Sequence, residues 1–384
     1  MAEGVVHPLE IRDLCYAVAD SNSLDPVTAR ELLSHAYPAA RCNEVEAIVA
    51  HAAMRSLGPE EVSGVWRDAH ARNEAKIVSY MAELDRLAVL LANRGIAIVA
   101  LKNAGIARGI YPCPGCCPMG DLDLLVENRH FKSAHEVLLS DGYSFEFRSP
   151  LEENELVAAE RTGGGEYRKT LPDDHNLWVE LQWRPISGRW IRPDQEPDTA
   201  DLIARSVEIP GSAARLLAPE DNLLQAAVHT AKHSYVRAPG FRLHTDVDRI
   251  VRRQTIDWDA FVELVRSLQV NTAVYFSLAI PHDIFGSPIP RSVLKRLQPA
   301  RWKTKLMTAW LRRVGLLNPH EKKFGRVGYV CFTVLLYDDL SGLVRALVPD
   351  PAWLKGRYGF SSSWLLPLYY ARRIFDLAFR RVAS

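Results

Sequence analysis

Asp121 and Asp123 stand two residues apart in Met119-Gly120-Asp121-Leu122-Asp123-Leu124-Leu125-Val126, an apolar run of strand type. Side chains at i and i+2 of a strand share a face, with Cα atoms about 6.6 Å apart. The two carboxylates therefore converge on one site, while Leu122, Leu124 and Val126 fill the opposite, buried face. Converging carboxylates repel unless positive charge lies between them. One or two divalent cations, held by carboxylates and substrate phosphates together, are the usual source of that charge. The pair is thus a candidate metal site for phosphoryl or nucleotidyl chemistry; an exposed edge strand with solvated acids is the plainer alternative.

A third acid is available downstream. After the turn signal Pro172-Asp173-Asp174, the run Leu177 to Trp183 alternates Val179, Leu181 and Trp183 with Trp178, Glu180 and Gln182. Glu180 therefore faces away from the apolar side. If this strand pairs beside the Asp121 strand, Glu180 completes a carboxylate trio. Three other clusters read more blandly. His229 and His233 are four apart on one helix face, but Thr230 stands where a zincin has its glutamate, so pocket-lining or structural histidines are expected. Cys113-Pro114-Gly115-Cys116-Cys117 has no second ligand pair at zinc-site spacing, which favours a proline-rich loop with free thiols. Gly163-Gly164-Gly165 lacks the lysine and hydroxyl residue of a P-loop and reads as a turn into a strand.

The elements that must position these groups follow from periodicity. Residues 1–95 read as helical: Glu10 to Asp20, Val27 to Ala36, a start at Pro59-Glu60-Glu61, and a long amphipathic helix from Ala69 to Asn93. In the last, Ile77, Tyr80, Leu84, Leu87 and Leu91 form one stripe. Ile96 to Leu101 is a strand-length apolar run; Lys102-Asn103-Ala104-Gly105 turns out of it into a short helix. A helix over Arg129 to Ser140 and a strand over Tyr143 to Phe147 follow the Asp121 strand. From Pro219 the chain is helical, with Asp246 and Arg249 of the His244 to Arg253 segment directed to the pocket side and Ile256-Asp257-Trp258-Asp259 starting a further helix.

Composition narrows the partners. Forty-seven basic against 46 acidic residues leave a formal charge of +1, no basis for a nucleic-acid-coating protein. Apolar runs such as Tyr329 to Tyr337 fall far short of the roughly 20 residues of a spanning helix. No basic region followed by an apolar stretch opens the chain, so a cytoplasmic location is expected. The basic stretch Tyr370 to Arg381 is expected to pack on the body rather than on a membrane.

Taken together, Leu101-Lys102-Asn103, Tyr111-Pro112, Pro118 to Val126, Asp141-Gly142-Tyr143 and Val179-Glu180-Leu181-Gln182-Trp183 resemble a bacterial nucleotidyltransferase-like family of the DNA polymerase β-type superfamily. The resemblance continues through Leu217 to Asp221, His229 to His233 and Ile256 to Trp258, and weakly to Trp353 to Tyr358. It implies an α+β fold: a polymerase-β-like core, a small mixed sheet with flanking helices, over 96–210, with a helical segment at 1–95 and a helical domain at 211–384. It implies that Asp121, Asp123 and Glu180 hold two Mg²⁺ and carry catalysis, and that Lys102, Asn103 and Gly120 receive the phosphates of an NTP, with ATP the expected donor. Gln182, His229, His233 and Asp246 would line the pocket. The acceptor would be a hydroxyl or phosphate of a small molecule or peptide, in keeping with family members encoded near peptide natural-product pathways. A non-catalytic nucleotide- or peptide-binding scaffold is the alternative. Four positions depart from the family pattern: Asn103 replaces glycine, Cys117 arginine, Glu180 aspartate and Gln182 histidine.

Overall fold

The computed structural model describes residues 14, 15, 17–19, 24–148, 155–185, 191, 196–349 and 351–376. The predicted Glu10 to Asp20 helix lies largely outside them. Helices Pro26–His35, Tyr37–Cys42 and Glu46–Leu57 lead into the 29-residue helix Gly64–Ala92. Ile77, Tyr80, Leu84, Leu87 and Leu91 are all buried there, as the stripe requires. The helix starts ahead of Ala69 because Trp66, also fully buried, extends the apolar face by a turn. Pro59–Glu61 is a separate 3₁₀ turn rather than the start of that helix.

The strands are β1 (Val99–Leu101), β2 (Leu122–Leu125), β3 (Ser144–Phe145), β4 (Gly164–Thr170), β5 (Asn176–Gln182), β6 (Val207–Glu208) and β7 (Arg215–Leu216). They form one mixed sheet in the order β3-β4-β5-β2-β1-β7-β6. β2 pairs antiparallel with β1 and parallel with β5. The register sets Asp123 beside Glu180 on one side and Leu101 on the other. Leu122, Leu124, Val126, Val179 and Leu181 enter the main core, whereas Leu101 and Leu125 join a smaller cluster with Leu202 and Leu217 on the other face. Alternation therefore places Asp123 on the face away from the main core, as the two-residue period predicts.

Some elements are shorter than their apolar runs. β1 uses only the end of Ile96 to Leu101, and β3 only two residues of Tyr143 to Phe147, where β4 is present to pair. The triple glycine is a turn into a strand: Gly163, at φ +106°, ends helix Leu156–Thr162, and β4 begins at Gly164. Helix Lys102–Ile106 packs tightly behind β1. A Cβ on Gly105 would lie 2.5 Å from the Ala100 carbonyl oxygen and 2.7 Å from Leu216 Cδ1, so only glycine allows that approach.

Beyond the sheet the chain is helical, from Pro219–Lys232, Phe241–Arg253 and Trp258–Ser267 through to Leu366–Phe375. Asp257 caps Trp258–Ser267 by accepting from the Asp259 and Ala260 amides. The described part of the basic tail lies against its neighbours: Tyr369 stacks on Phe360 at 4.0 Å and the Tyr370 hydroxyl donates to the Pro349 carbonyl. Among the described residues no helix is long and apolar enough to cross a membrane. The architecture is α+β, mostly helical around a seven-stranded mixed sheet.

Candidate metal centre

At the end of β1 the backbone turns through Lys102 at φ +50°. A left-handed conformation costs an L-residue about 1 kcal/mol, and what surrounds Lys102 over-determines it. Its amide donates to Gln225 Oε1 at 3.1 Å, and its Nζ lies 2.5 Å from Asp123 Oδ1 and 3.5 Å from Glu180 Oε2. The strained turn thus aims an ammonium between two carboxylates.

One oxygen from each of Asp121, Asp123 and Glu180 lies within 4.8 Å of the others. Asp123 forms the floor, its side chain 3% exposed, while Asp121 and Glu180 are 25% and 31% exposed. Gln182 Nε2 donates to Asp123 Oδ1 at 2.9 Å. Arg148 pairs with Asp121 at 2.8 Å and Glu166 at 3.0 Å, its guanidinium over the Trp178 ring at 5.4 Å. Burial pushes the Asp123 carboxyl well above the usual range, and the charges of Asp121 and Glu180 add to the effect against Lys102. Burial also opposes ionisation of Glu180, but Lys102 and a hydrogen bond with Asp123 outweigh it and hold Glu180 at about 2. The deeper acid is therefore the harder of the two to ionise, and the shallower one the easier. The Lys102 ammonium, penalised by burial, is held charged by Asp123 and Glu180.

Helix Pro219–Lys232 supplies a wall. His229 and His233 meet edge to face with ring centroids 5.0 Å apart, and burial drives both toward the neutral form, His233 to about 4. Lys232 is solvent-exposed yet crowded by protein, and that crowding, with the Lys102 charge, lowers its ammonium to about 8. Asp246 sits behind the site rather than in the open cleft. Its Oδ1 accepts from Asn103 Nδ2 at 2.9 Å and the Tyr111 hydroxyl at 2.6 Å, so both side chains are committed to each other. Gly120 is exposed, and a Cβ there would meet no protein atom within 4 Å. A concavity among the C-terminal helices, bounded by Arg266, Lys303 and Asp338, includes none of these residues.

Three groups here escape the sequence reading. Lys232 shares the face of His229 at i+3 and was findable from that spacing. Arg148 reaches Asp121 only through the fold of the sheet edge, and no local pattern marks it. The cysteine loop also differs from expectation: His51 and His70, far apart in sequence, supply the second pair of ligand-type groups beside Cys113 and Cys116.

The three carboxylates are hard oxygen donors at convergent spacing, the donor chemistry of a Mg²⁺ site. With that geometry in hand, the sequence comparison is decisive about kinship: the chain belongs to the family described as uncharacterised nucleotidyltransferase, which matches residues 31–286, two thirds of its length. The match stops short of the C-terminal helices, where the resemblance was weakest. No protein of curated function matches. Among solved structures the chain is similar to an antigenic nucleotidyltransferase-like protein from Paracoccidioides brasiliensis, at 15% identity and a TM-score of 0.34, covering 56% of this chain and 92% of that one.

Proposed function

We propose that the protein is a Mg²⁺-dependent nucleotidyltransferase that moves a nucleoside monophosphate from an NTP, ATP first among them, to a hydroxyl or phosphate of a small molecule or peptide. The observation that carries this is the convergence of Asp121, Asp123 and Glu180 within 4.8 Å beside the Lys102 ammonium. In this reading 96–210, completed by the short strand β7 at the start of 211–384, is a polymerase-β-like core, with helical regions at 1–95 and after β7. The cytosol, where NTPs and reduced thiols coexist, is the compartment it suits. A peptide natural-product pathway is the setting the family resemblance suggests.

Asp121, Asp123 and Glu180 would hold the ions. Bound there, two Mg²⁺ would supply Lewis-acid charge to the triphosphate and to the acceptor oxygen. The protein's own groups do the rest. Lys102, Lys232 and Arg148 offer positive charge for phosphate oxygens, and the open space at Gly120 admits them close to the backbone. Neutral His229 and His233 can orient an acceptor by hydrogen bonding without adding charge. Glu180, the most solvent-reaching acid of the trio, would orient the acceptor oxygen beside the ions.

The test separates binding from turnover. Glu180→Gln is expected to keep NTP affinity within about threefold and lower pyrophosphate release by at least about a hundredfold. Equal loss of both would make Glu180 a binding ligand only. One observation favours the scaffold alternative: Lys102 and Arg148 already pair with all three acids, so resident cations offset much of their charge without a metal. On that reading no acceptor releases pyrophosphate and the three acids tolerate substitution.

Lys232 gives the site a pH signature. Its neighbours in charge are Lys102, Glu180, Asp123 and Glu196, and the flanking histidines are neutral. With a folded value lowered to about 8, Lys232 is charged below that pH and loses its proton above it. NTP affinity is expected to fall about tenfold between roughly pH 7 and pH 9, the value of one charge-assisted contact. Lys232→Arg should flatten the profile, because a guanidinium stays charged. Calorimetric titration at several pH values checks both.

A further inference from the structure

The loop between helix Lys102–Ile106 and β2 carries Cys113 and Cys116 on a 3₁₀ turn, Pro114–Cys116. Two helices deliver histidines to it: His51 from Glu46–Leu57 and His70 from Gly64–Ala92. One ligand atom from each of these four residues lies within 4.8 Å of the others. His51 Nδ1 is 3.4 Å and His70 Nε2 is 3.3 Å from Cys113 Sγ, and the two sulfurs are 2.8 Å apart.

A tetrahedral zinc ion, with Zn–S about 2.3 Å and Zn–N about 2.0 Å, sets neighbouring sulfur and nitrogen about 3.5 Å apart and two sulfurs about 3.8 Å apart. The two nitrogen–sulfur spacings to Cys113 already match. The sulfur pair would open by about 1 Å to accept the ion. Two thiols and two imidazoles are also the right chemistry, a soft and borderline donor set suited to zinc and not to Mg²⁺. The imidazoles stack with ring centroids 5.6 Å apart.

The surroundings are shaped for this convergence. A Cβ on Gly115, between the cysteines, would lie 2.5 Å from His70 Nε2, so a side chain there would displace the ring. Asn73 Nδ2 donates to the Gly115 and Cys117 carbonyls at 2.8 and 3.2 Å, fastening the turn to the helix that carries His70. The other nitrogen of His70 faces Glu74 Oε2 at 3.9 Å, on the side from which a carboxylate orients a metal-bound imidazole.

We propose that His51, His70, Cys113 and Cys116 hold a structural zinc ion that pins the loop preceding β2 to the amino-terminal helices. All four protein positions are filled, so the site is closed and non-catalytic. It fixes the chain just before Met119, whose carbonyl accepts Lys76 Nζ at 2.7 Å, and so sets the approach of Gly120 and Asp121. The site is independent of the acidic trio and does not rest on nucleotidyl transfer.

The test uses the full chain, untagged, grown with Zn²⁺ and dialysed into metal-free buffer. Elemental mass spectrometry is expected to find about one zinc per chain, and X-ray absorption two sulfur and two nitrogen neighbours. Cys113 and Cys116 should resist alkylation until the zinc is stripped. Cys113→Ser/Cys116→Ser should lose the ion, whereas Cys42→Ser and Asp121→Ala/Asp123→Ala should keep it. The wild-type measurements stand even if the double serine variant fails to fold. Less than about a tenth of a zinc per chain after incubation with excess Zn²⁺, a Cys113–Cys116 disulfide in the native protein, or a shell of nitrogen and oxygen alone would overturn the proposal.

Discussion

Asp123→Asn is expected to cut nucleotidyl transfer at least about a thousandfold while changing metal-free stability by no more than about 1 kcal/mol. The two effects part because the floor acid is costly at rest and needed only when a cation is present. Burial, Asp121 and Glu180 raise the Asp123 carboxyl well above the usual range against the pull of Lys102, so its ionised form is penalised in the fold. An amide of the same shape can keep the Gln182 contact, and Lys102 retains Glu180. What the amide cannot do is supply an anionic oxygen to a divalent ion. Urea unfolding in EDTA and pyrophosphate release with Mg²⁺ read the two halves. A large loss of metal-free stability, or full activity, would show that the charge of Asp123 serves another purpose.

Lys102→Met is expected to do the reverse in the first measurement. Removing the ammonium leaves Glu180 without its partner in a cleft whose walls exclude much of the water. The loss should be about 2 kcal/mol in EDTA, toward the low side for a buried pair because Lys102 is 21% exposed and the cleft admits solvent. The sign with pH follows from the two shifts. Glu180 is lowered to about 2 in the fold, so its contribution is complete above the unfolded carboxylate value and fades as pH falls toward 2. Lys102 is raised, so its contribution is complete below the ordinary lysine value. The deficit of the variant should therefore be full at neutral pH and shrink in acid. Mg²⁺ should then raise the melting temperature of Lys102→Met more than that of the wild type, since the ion faces no resident cation. Turnover should fall by about a hundredfold or more, because one fixed charge aimed at phosphate is gone. An equal Mg²⁺ response in both proteins would place the ion away from Lys102.

Much of the site was legible in the sequence because it rests on local period. Two-residue alternation put Leu122, Leu124 and Val126 in the core opposite Asp123, and set Glu180 apart from Val179 and Leu181. Helical spacing found the stripe of Gly64–Ala92, and the Asp257 cap marked its helix. Pairing β5 beside β2 was conditional in the sequence, since strand order depends on long-range packing. The rest depended on contacts between distant segments. Arg148 meets Asp121 across the sheet, and Asp246 turns out to be spoken for by Asn103 and Tyr111. His51 and His70 meet Cys113 only because two helices pack on one loop, a convergence that no ligand spacing announces. β6 and β7, two residues each, are too short to show any period.

The central claim is that Asp121, Asp123 and Glu180 make a divalent-metal centre for an NTP. Equilibrium titration of ATP into the wild type and into Asp121→Ala/Asp123→Ala, each with Mg²⁺ and with EDTA, addresses it most directly, with circular dichroism confirming the fold. The account predicts binding that requires Mg²⁺ in the wild type and is absent from the double variant. Unchanged Mg²⁺-dependent binding in the double variant would contradict it.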